Sequence, residues 1–288
     1  MSAADEIFAA ERPRLLGLAY RILASYADAE DVVQETWIRW QAVEHDPIAR
    51  PAAYLTTIAT RLALDRARIL ARRREDYVGP WLPEPVAVQR GPEDHAELVE
   101  SLTLGFLLVL DRLSPTERAV WLLADVFGEP YTDIASVVGK SEAACRQIAT
   151  RARRRLREER PGPPQPLDPG LLRRLLAAVS AGDLEGTLEL LDARAVLLSD
   201  GGPDHRAARH PVVGADRVAR LAINLARRGG VSAVGEAVVN GEAALVVELE
   251  GAMTLVLTGE QHDGRITCIY LLLNPEKLRG IFAHPAMT

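Results

Sequence analysis

Cysteine is scarce. Only Cys145 and Cys268 occur in 288 residues, in unlike surroundings and with no CxxC partner, which excludes a disulfide framework and a thiolate metal site. The chain therefore reads as a reduced, cytoplasmic protein without a bound cofactor or metal. Aromatic residues make up 5% of the sequence, leaving few flat side chains for stacking on unpaired bases. Long apolar runs are missing too. The stretch from Ile7 to Leu23 is broken by Glu11, Arg12, Arg14 and Arg21, far short of the ~20 apolar residues of a membrane span. The opening MSAADEIF is acidic where a secretory leader is basic, so no membrane partner is expected. Hydrophobic content of 48% with 26% charged residues is ordinary for a globular protein, and this length implies two or three domains rather than one core.

An excess of positive charge is also missing, since the net charge is −6. Nucleic-acid binding needs a local basic footprint rather than a basic total, and two are present. Arginines 61, 66, 68, 72, 73 and 74 face one acid, Asp65, between Arg61 and Arg74. Arginines 146, 151, 153, 154, 155 and 157 face none between Ala143 and Arg157. A single run of this kind is most simply a solvated helix end that suits the helix dipole. Two runs in separate helical units point to phosphate.

The organisation follows from periodicity and breakers. Leu15, Leu18, Ala19, Ile22 and Leu23 recur at helical spacing. Asp28 is expected to cap a second helix reaching about Ala42, with Glu30 and Asp31 in its first turn. A third helix begins at Pro51 and is expected to turn Tyr54, Leu55, Ile58 and Leu62 inward. The stretch YVGPWLPEPVAVQRGPEDH is a linker, and a second helical unit runs from about His95 to Arg160. The run PGPPQPLDPG marks the next boundary. Helices at Leu171–Ser180 and Leu184–Leu191, a strand at Ala195–Ser199 and a helix near Asp216–Arg228 then lead into β-rich runs. The turns NGEA and HDGR join those runs, which predicts an α+β domain with a curved antiparallel sheet.

The middle unit carries a helix-turn-helix. Ser114 caps its first helix, Pro115 takes the first helical position and Glu117 completes a capping box. YTDIASVVG gives a short second helix stopped by Gly139, and Ser141 caps a third. That geometry lays the last helix in the major groove. Arg146, Gln147 and Thr150 are expected near bases, with Arg151 and Arg154 near phosphates, since Arg suits guanine and Gln suits adenine. A plain three-helix bundle with a solvated basic end is the competing reading.

RLLGLAYRILASYADAEDVVQETWIRW resembles the second conserved region of the extracytoplasmic-function sigma factors, within the sigma-70 family. The resemblance implies that its DAEDVVQE helix docks on the β′ subunit of core RNA polymerase, placing Asp28, Asp31, Gln34, Glu35 and Arg39 at that surface. PAAYLTTIATRLALDRAR resembles the following helix, which with the loop Glu44–Arg50 engages the melted minus-ten strand; Arg61, Arg66 and Arg68 belong there. LSPTERAVWLLADVFGEPYTDIASVVGKSEAACRQIATRARRRL resembles the fourth region, which reads the minus-thirty-five element, with Ser141, Arg146, Gln147, Thr150, Arg151 and Arg154 as contacts. Acids at 28, 30 and 31 would also serve simply to cap an amphipathic helix.

The tail extends the resemblance to the whole chain. WLPEP (Trp81, Leu82, Pro83, Glu84, Pro85), the run Asp200, Gly201, Gly202, and NPEKL (including Asn274, Pro275, Lys277 and Leu278) resemble the SigJ-type group, which carries a C-terminal SnoaL-like domain. Pro203 and Asp204 stand where that group continues with glycine and a basic residue. The implied architecture is multi-domain: sigma region 2 (1–77), a linker (78–94), sigma region 4 (95–160), a Pro-rich linker (161–170) and a SnoaL-like α+β cone (171–288). The implied partners are the polymerase core (β′ and β subunits) and promoter DNA, with the C-terminal domain setting activity and a small-molecule ligand in its cone as candidate effector. Some SnoaL-like cones are enzymes, and Asp200, Asp204, His205, His210 and His262 are this chain's acid and imidazole candidates. Loop placement of three of them favours a non-catalytic domain. The rival reading is a DNA-binding regulator fused to a ligand-binding or catalytic cone, without polymerase docking.

Overall fold

The computed structural model describes residues 2–45, 48–75, 77–87, 102–159, 165–203, 205, 207–249 and 253–282. Contacts divide the chain into two units. One contains residues 1–75, 91–98 and 106–163; the other contains 76–90, 99–105 and 164–288. Most of the linker thus belongs with the C-terminal domain.

In the first unit, α1 (Ala3–Leu23), α2 (Tyr26–Gln41) and α3 (Pro51–Glu75) pack around Leu15, Leu18, Ile22, Val33, Trp40, Leu55 and Leu64. The cap of α2 differs from expectation. Ser25 is the N-cap and its hydroxyl accepts the Asp28 amide, so Asp28 lies a turn inside the helix. The inward stripe of α3 is also shifted. Leu55, Thr56, Ala59, Thr60, Ala63 and Ala67 are buried, whereas Tyr54, Ile58 and Leu62 are half-buried. Small residues on that stripe let neighbouring helices approach closely, a benefit that apolar periodicity does not reveal.

The chain continues with α4 (Leu104–Leu110), which belongs to this unit from Phe106 onward, and with α5 (Pro115–Trp121), α6 (Tyr131–Val138) and α7 (Glu142–Glu159). The capping box at Ser114 and Glu117 forms as expected. Gly139 ends α6 with a φ of 66°, and the Ser141 hydroxyl accepts the Ala144 amide. A π-helical turn at Leu122–Val126, unforeseen in the sequence, extends α5. Asp111 lies between Arg74 and Arg118. Arg118 is deeply buried, and burial lowers its pKa. Burial pushes Asp111 upward, but the Arg74 and Arg118 guanidiniums outweigh it and hold the carboxyl below its usual range.

In the second unit, α8 (Pro169–Ala181), α9 (Leu184–Leu190) and α10 (Ala215–Gly229) cover one face of a sheet. Its order is β3 (Val212–Val213), β2 (Leu191–Asp200), β7 (Arg265–Leu272), β6 (Met253–His262), β5 (Glu242–Leu249), β4 (Val231–Val239), with β1 (Gln165–Pro166) on β6. The expected all-antiparallel sheet is corrected: β2 and β7 run parallel. Long intervening chain separates those two strands, so no local turn sets their direction. Leu245, Val247, Leu257, Ile269 and Leu271 face the helices. The alternate positions Glu242, Ala244, Val256, Thr258, Glu260, Tyr270 and Leu272 are buried as well. A second layer therefore covers the other face. Part of that layer is the linker, described below. A short helix, α11 (Pro275–Phe282), closes the described chain.

Candidate promoter interface and linker clasp

On helix α7 the residues expected to contact DNA share the open side. Ser141, Arg146, Gln147, Thr150, Arg151 and Arg154 are all exposed, while Cys145, Ile148, Ala149 and Ala152 are buried behind them. Arg146, Gln147, Thr150 and Arg151 line one shallow, open depression. Arg146 is steadied by the Glu142 carboxylate one turn earlier and by the Tyr131 ring, 4.9 Å from its guanidinium. Arg153 and Arg155 turn elsewhere. Arg153 pairs with Asp125 at 2.8 Å and donates to the Tyr131 hydroxyl, and these hydrogen bonds raise its pKa. Arg155 reaches Glu117 at 3.2 Å. The basic footprint therefore splits into an outward set and a bracing set.

Helix α2 exposes Asp31, Gln34 and Arg39, with Glu35 half-exposed and paired to Arg39 at 2.9 Å. Ile38 stands exposed beside them, an apolar member that the acidic pattern did not single out. Asp28 is not on the open surface: it pairs with Arg66 of α3 at 2.5 Å, and Arg66 also approaches Asp31 at 3.4 Å. Two side chains expected to meet different partners are thus paired with each other. Arg68 pairs with Asp65. Arg61 donates to the carbonyls of Ser136 (2.7 Å) and Val137 (3.3 Å) at the end of α6. Arg50 pairs with Asp133 on the same helix at 2.7 Å. Asp46 and Pro47 of the loop Glu44–Arg50 lie outside the described residues.

The linker is gripped at Asp200, the last residue of β2, which is 1% exposed. Its carboxylate accepts the Leu82 amide at 2.8 Å, the Tyr77 hydroxyl, and the Lys277 ammonium at 2.6 Å. Lys277 also donates to the Leu82 carbonyl at 2.5 Å, so both backbone groups of Leu82 are satisfied. The ammonium sits 3.9 Å from the centroid of the Trp81 ring and 5.3 Å from that of Tyr77. Burial and the hydrogen bond to Asp200 push the Tyr77 phenol well up. Asn274 donates to the Tyr77 hydroxyl at 3.0 Å, and its carbonyl caps the turn at Pro275 and Glu276. A Cβ on Gly202, whose φ is 62°, would come within 2.6 Å of Asn274. One on Gly201 would come within 2.3 Å of the His205 carbonyl. Leu82, Pro83, Pro85 and Leu278 are buried, with Trp81 and Glu84 half-buried. Pro203 and Asp204, where the pattern departs, leave this contact standing because it is made by the Asp200 carboxylate.

Among the acid and imidazole candidates, Asp200 and His262 lie far apart. Asp200 pairs with Leu272 and His262 with Arg265, at opposite ends of β7 and about 20 Å apart at ~3.3 Å per residue. His262 is 71% exposed, and Asp204 lies outside the described residues. Among the described residues, no group of three or more His, Cys, Asp or Glu is placed to hold a metal, and no helix is long and apolar enough to cross a membrane.

Comparison with known proteins gives this geometry a context. Residues 7–73 match the family model for Sigma-70 region 2, and residues 104–156 match that for Sigma-70, region 4. The ECF RNA polymerase sigma factor SigJ of Mycobacterium tuberculosis (strain ATCC 25618 / H37Rv) is 38% identical over 95% of this chain and 92% of its own. The chain belongs to the extracytoplasmic-function sigma factors. A second relative, the probable ECF RNA polymerase sigma factor SigI of the same organism, is 32% identical over 96% of this chain and 97% of its own. The crystal structure of Mycobacterium tuberculosis SigJ superposes with a TM-score of 0.77 at 34% identity, covering 96% of this chain and 98% of the other. That match spans the C-terminal SnoaL-like sheet as well as the two helical regions. This sigma factor directs RNA polymerase to promoters, and regions 2 and 4 are the parts that define it.

Proposed function

We propose that this sigma factor is controlled by its own C-terminal domain, which grips the linker between regions 2 and 4 and holds those regions together. The observation that carries the reading is Asp200: one buried carboxylate, countered by Lys277, binds the linker at Leu82 and Tyr77. The contacts of Arg50, Arg61 and Arg74 join region 2 to region 4 within the first unit. Promoter elements centred roughly 25 base pairs apart lie about 85 Å from each other at ~3.4 Å per base pair. Two regions in direct contact do not bridge that distance. A linker grip that favours contact therefore restrains transcription.

In the open state, polymerase docks on Asp31, Gln34, Glu35, Ile38 and Arg39, with Asp28 and Arg66 bracing the surface from behind. Arg61 and Arg68 are released to the melted strand. Arg146, Gln147 and Thr150 read the upstream duplex from a helix entered at Ser141, and Arg151 and Arg154 meet phosphates. In this reading the protein itself makes and breaks no covalent bond, and the buried acid Asp200 serves to hold Lys277, Tyr77 and Leu82. The helix-facing side of the sheet is filled by apolar side chains, which favours the linker on the other face as the regulatory contact.

The test is run-off transcription by the full chain with core polymerase on one fixed promoter. Lys277→Ala and Trp81→Ala are each expected to raise activity. The double variant should rise by less than the sum, since both changes remove one contact. Unchanged activity in both single variants would rule out control through the clasp.

A further inference from the structure

The outer face of the sheet holds the linker at a second place, the turn between β4 and β5. Asn240 and Gly241 occupy its central positions with φ of 53° and 74°. An Asn-Gly pair suits such a hairpin turn for backbone reasons alone, and its side chain ordinarily points at water. Asn240 is instead fully buried. Its Oδ1 accepts the Val86 amide and its Nδ2 donates to the Leu102 carbonyl, each at 2.9 Å. Its own backbone amide donates to the Val86 carbonyl at 2.8 Å, and Ala87 forms a β-bridge with Val239. Just beyond the turn, Glu242 accepts the Leu104 amide at 3.3 Å, and Leu102 and Leu104 are buried.

Residues 86 and 102 are therefore bound by opposite ends of one side-chain amide. Residues 86 and 102 are thus held side by side, and the reach of the linker is set by the residues outside that pair. Fully extended, residues 76–103 span about 95 Å at ~3.4 Å per residue. With residues 86 and 102 held together, the remainder spans about 45 Å. We infer that Asn240 is a specificity-determining residue for promoter spacing: by holding Val86 and Leu102 together, it shortens the reach of the linker and sets the longest spacer between the two elements that this sigma factor accepts. The inference rests on the proposed linker control but adds a different observable, the dependence on spacer length rather than the level of activity.

Asn240→Gly is the appropriate variant, because glycine keeps the positive-φ turn and removes both side-chain bonds. It is compared with the parent, as full chains with core polymerase, on promoters whose spacer is varied one base pair at a time. Doubling a flexible tether lowers the effective concentration of one end beside the other by about threefold. Transcription at the optimum should therefore fall about threefold while longer spacers come within reach, so that their activity relative to the optimum rises by about threefold or more. Amide exchange supplies the structural readout. The Val86 amide should lose protection, while the Leu82 amide, held by Asp200, keeps it. Asn240→Asp retains an acceptor for Val86 but loses the donor to Leu102. It should broaden spacing in the same way with Val86 still protected, and it guards against misfolding of the glycine variant. Loss of Val86 protection with an unchanged spacing profile would overturn the specificity role. Retained protection would overturn the closure itself. If spacing broadens while Lys277→Ala and Trp81→Ala leave activity at the optimum unchanged, the Asn240 role stands and the Asp200 control falls.

Discussion

At the scale of single residues, buried charge decides most of what can be tested. Arg118 is buried with Asp111 as its counter-ion, and it also donates to the Ile22 carbonyl at 2.7 Å. Asp111→Asn leaves that guanidinium underpaired and should destabilise the helical unit by about 3–5 kcal/mol at neutral pH. Because the folded pKa of Asp111 is depressed, its contribution is fully present above the ordinary carboxylate pKa near ~4 and is lost as pH falls through the lower folded value. Denaturant midpoints of parent and variant should thus lie far apart at pH 7 and converge on acidification. On the reading helix, Arg146→Ala or Gln147→Ala should relax preference at one or two upstream base pairs, costing roughly 1–3 kcal/mol there. Arg154→Ala should weaken binding to all sequences and flatten its salt dependence. Binding titrations over base-substituted duplexes at two salt concentrations separate these outcomes.

At the scale of elements, what was legible in the sequence was what local chemistry dictates. Ser114, Gly139 and Ser141 each do their capping within a turn or two of themselves, so the helix-turn-helix could be read directly. The hairpins at Asn240 and Asp263 were legible for the same reason: an Asn-Gly or Asp-Gly pair accepts positive φ. Ser25 was overlooked as a cap because Asp28, three residues on, is chemically just as suitable. The π turn at Leu122–Val126 carries no residue signature. The parallel pairing of β2 with β7 and the burial of both sheet faces depend on chain far away in sequence. Of the candidate site, Trp81, Asp200 and Lys277 were found through a family resemblance, and Asn240 and Glu242 passed as ordinary turn and edge residues. Gly105 belongs to the same class of hidden feature: a Cβ there would lie 1.6 Å from a carboxylate oxygen of Glu260. Gly105→Ala should therefore cost about 1–3 kcal/mol by overpacking, and Glu260→Ala in the same chain should recover part of that loss. Thermal unfolding of the two single variants and the double checks this.

At the scale of the whole molecule, net charge says little and its distribution says much. A chain at −6 still shows an outward arginine set on α7 and an acidic, partly apolar face on α2. Reversing Asp31 and Glu35 together to lysine should weaken binding to core polymerase and leave stability within about 0.5 kcal/mol, since both side chains are at the surface. Equal core affinity would move the docking face elsewhere. The placement of the clasp along the chain has a further consequence, in time. Linker residues 77–87 precede region 4 and residues 102–105 stand at its start, while Asp200, Asn240 and Lys277 lie far downstream. A ribosome adding roughly 5–20 residues per second finishes regions 2 and 4 some 6–25 s before it completes residues 164–288. Each newly made molecule thus passes through an interval in which both sigma regions exist and nothing holds the linker. If the clasp restrains the finished protein as proposed, polymerase that captures the nascent chain in that interval meets it unrestrained, and the rate of synthesis, not only the amount of finished protein, sets how much sigma factor escapes that control.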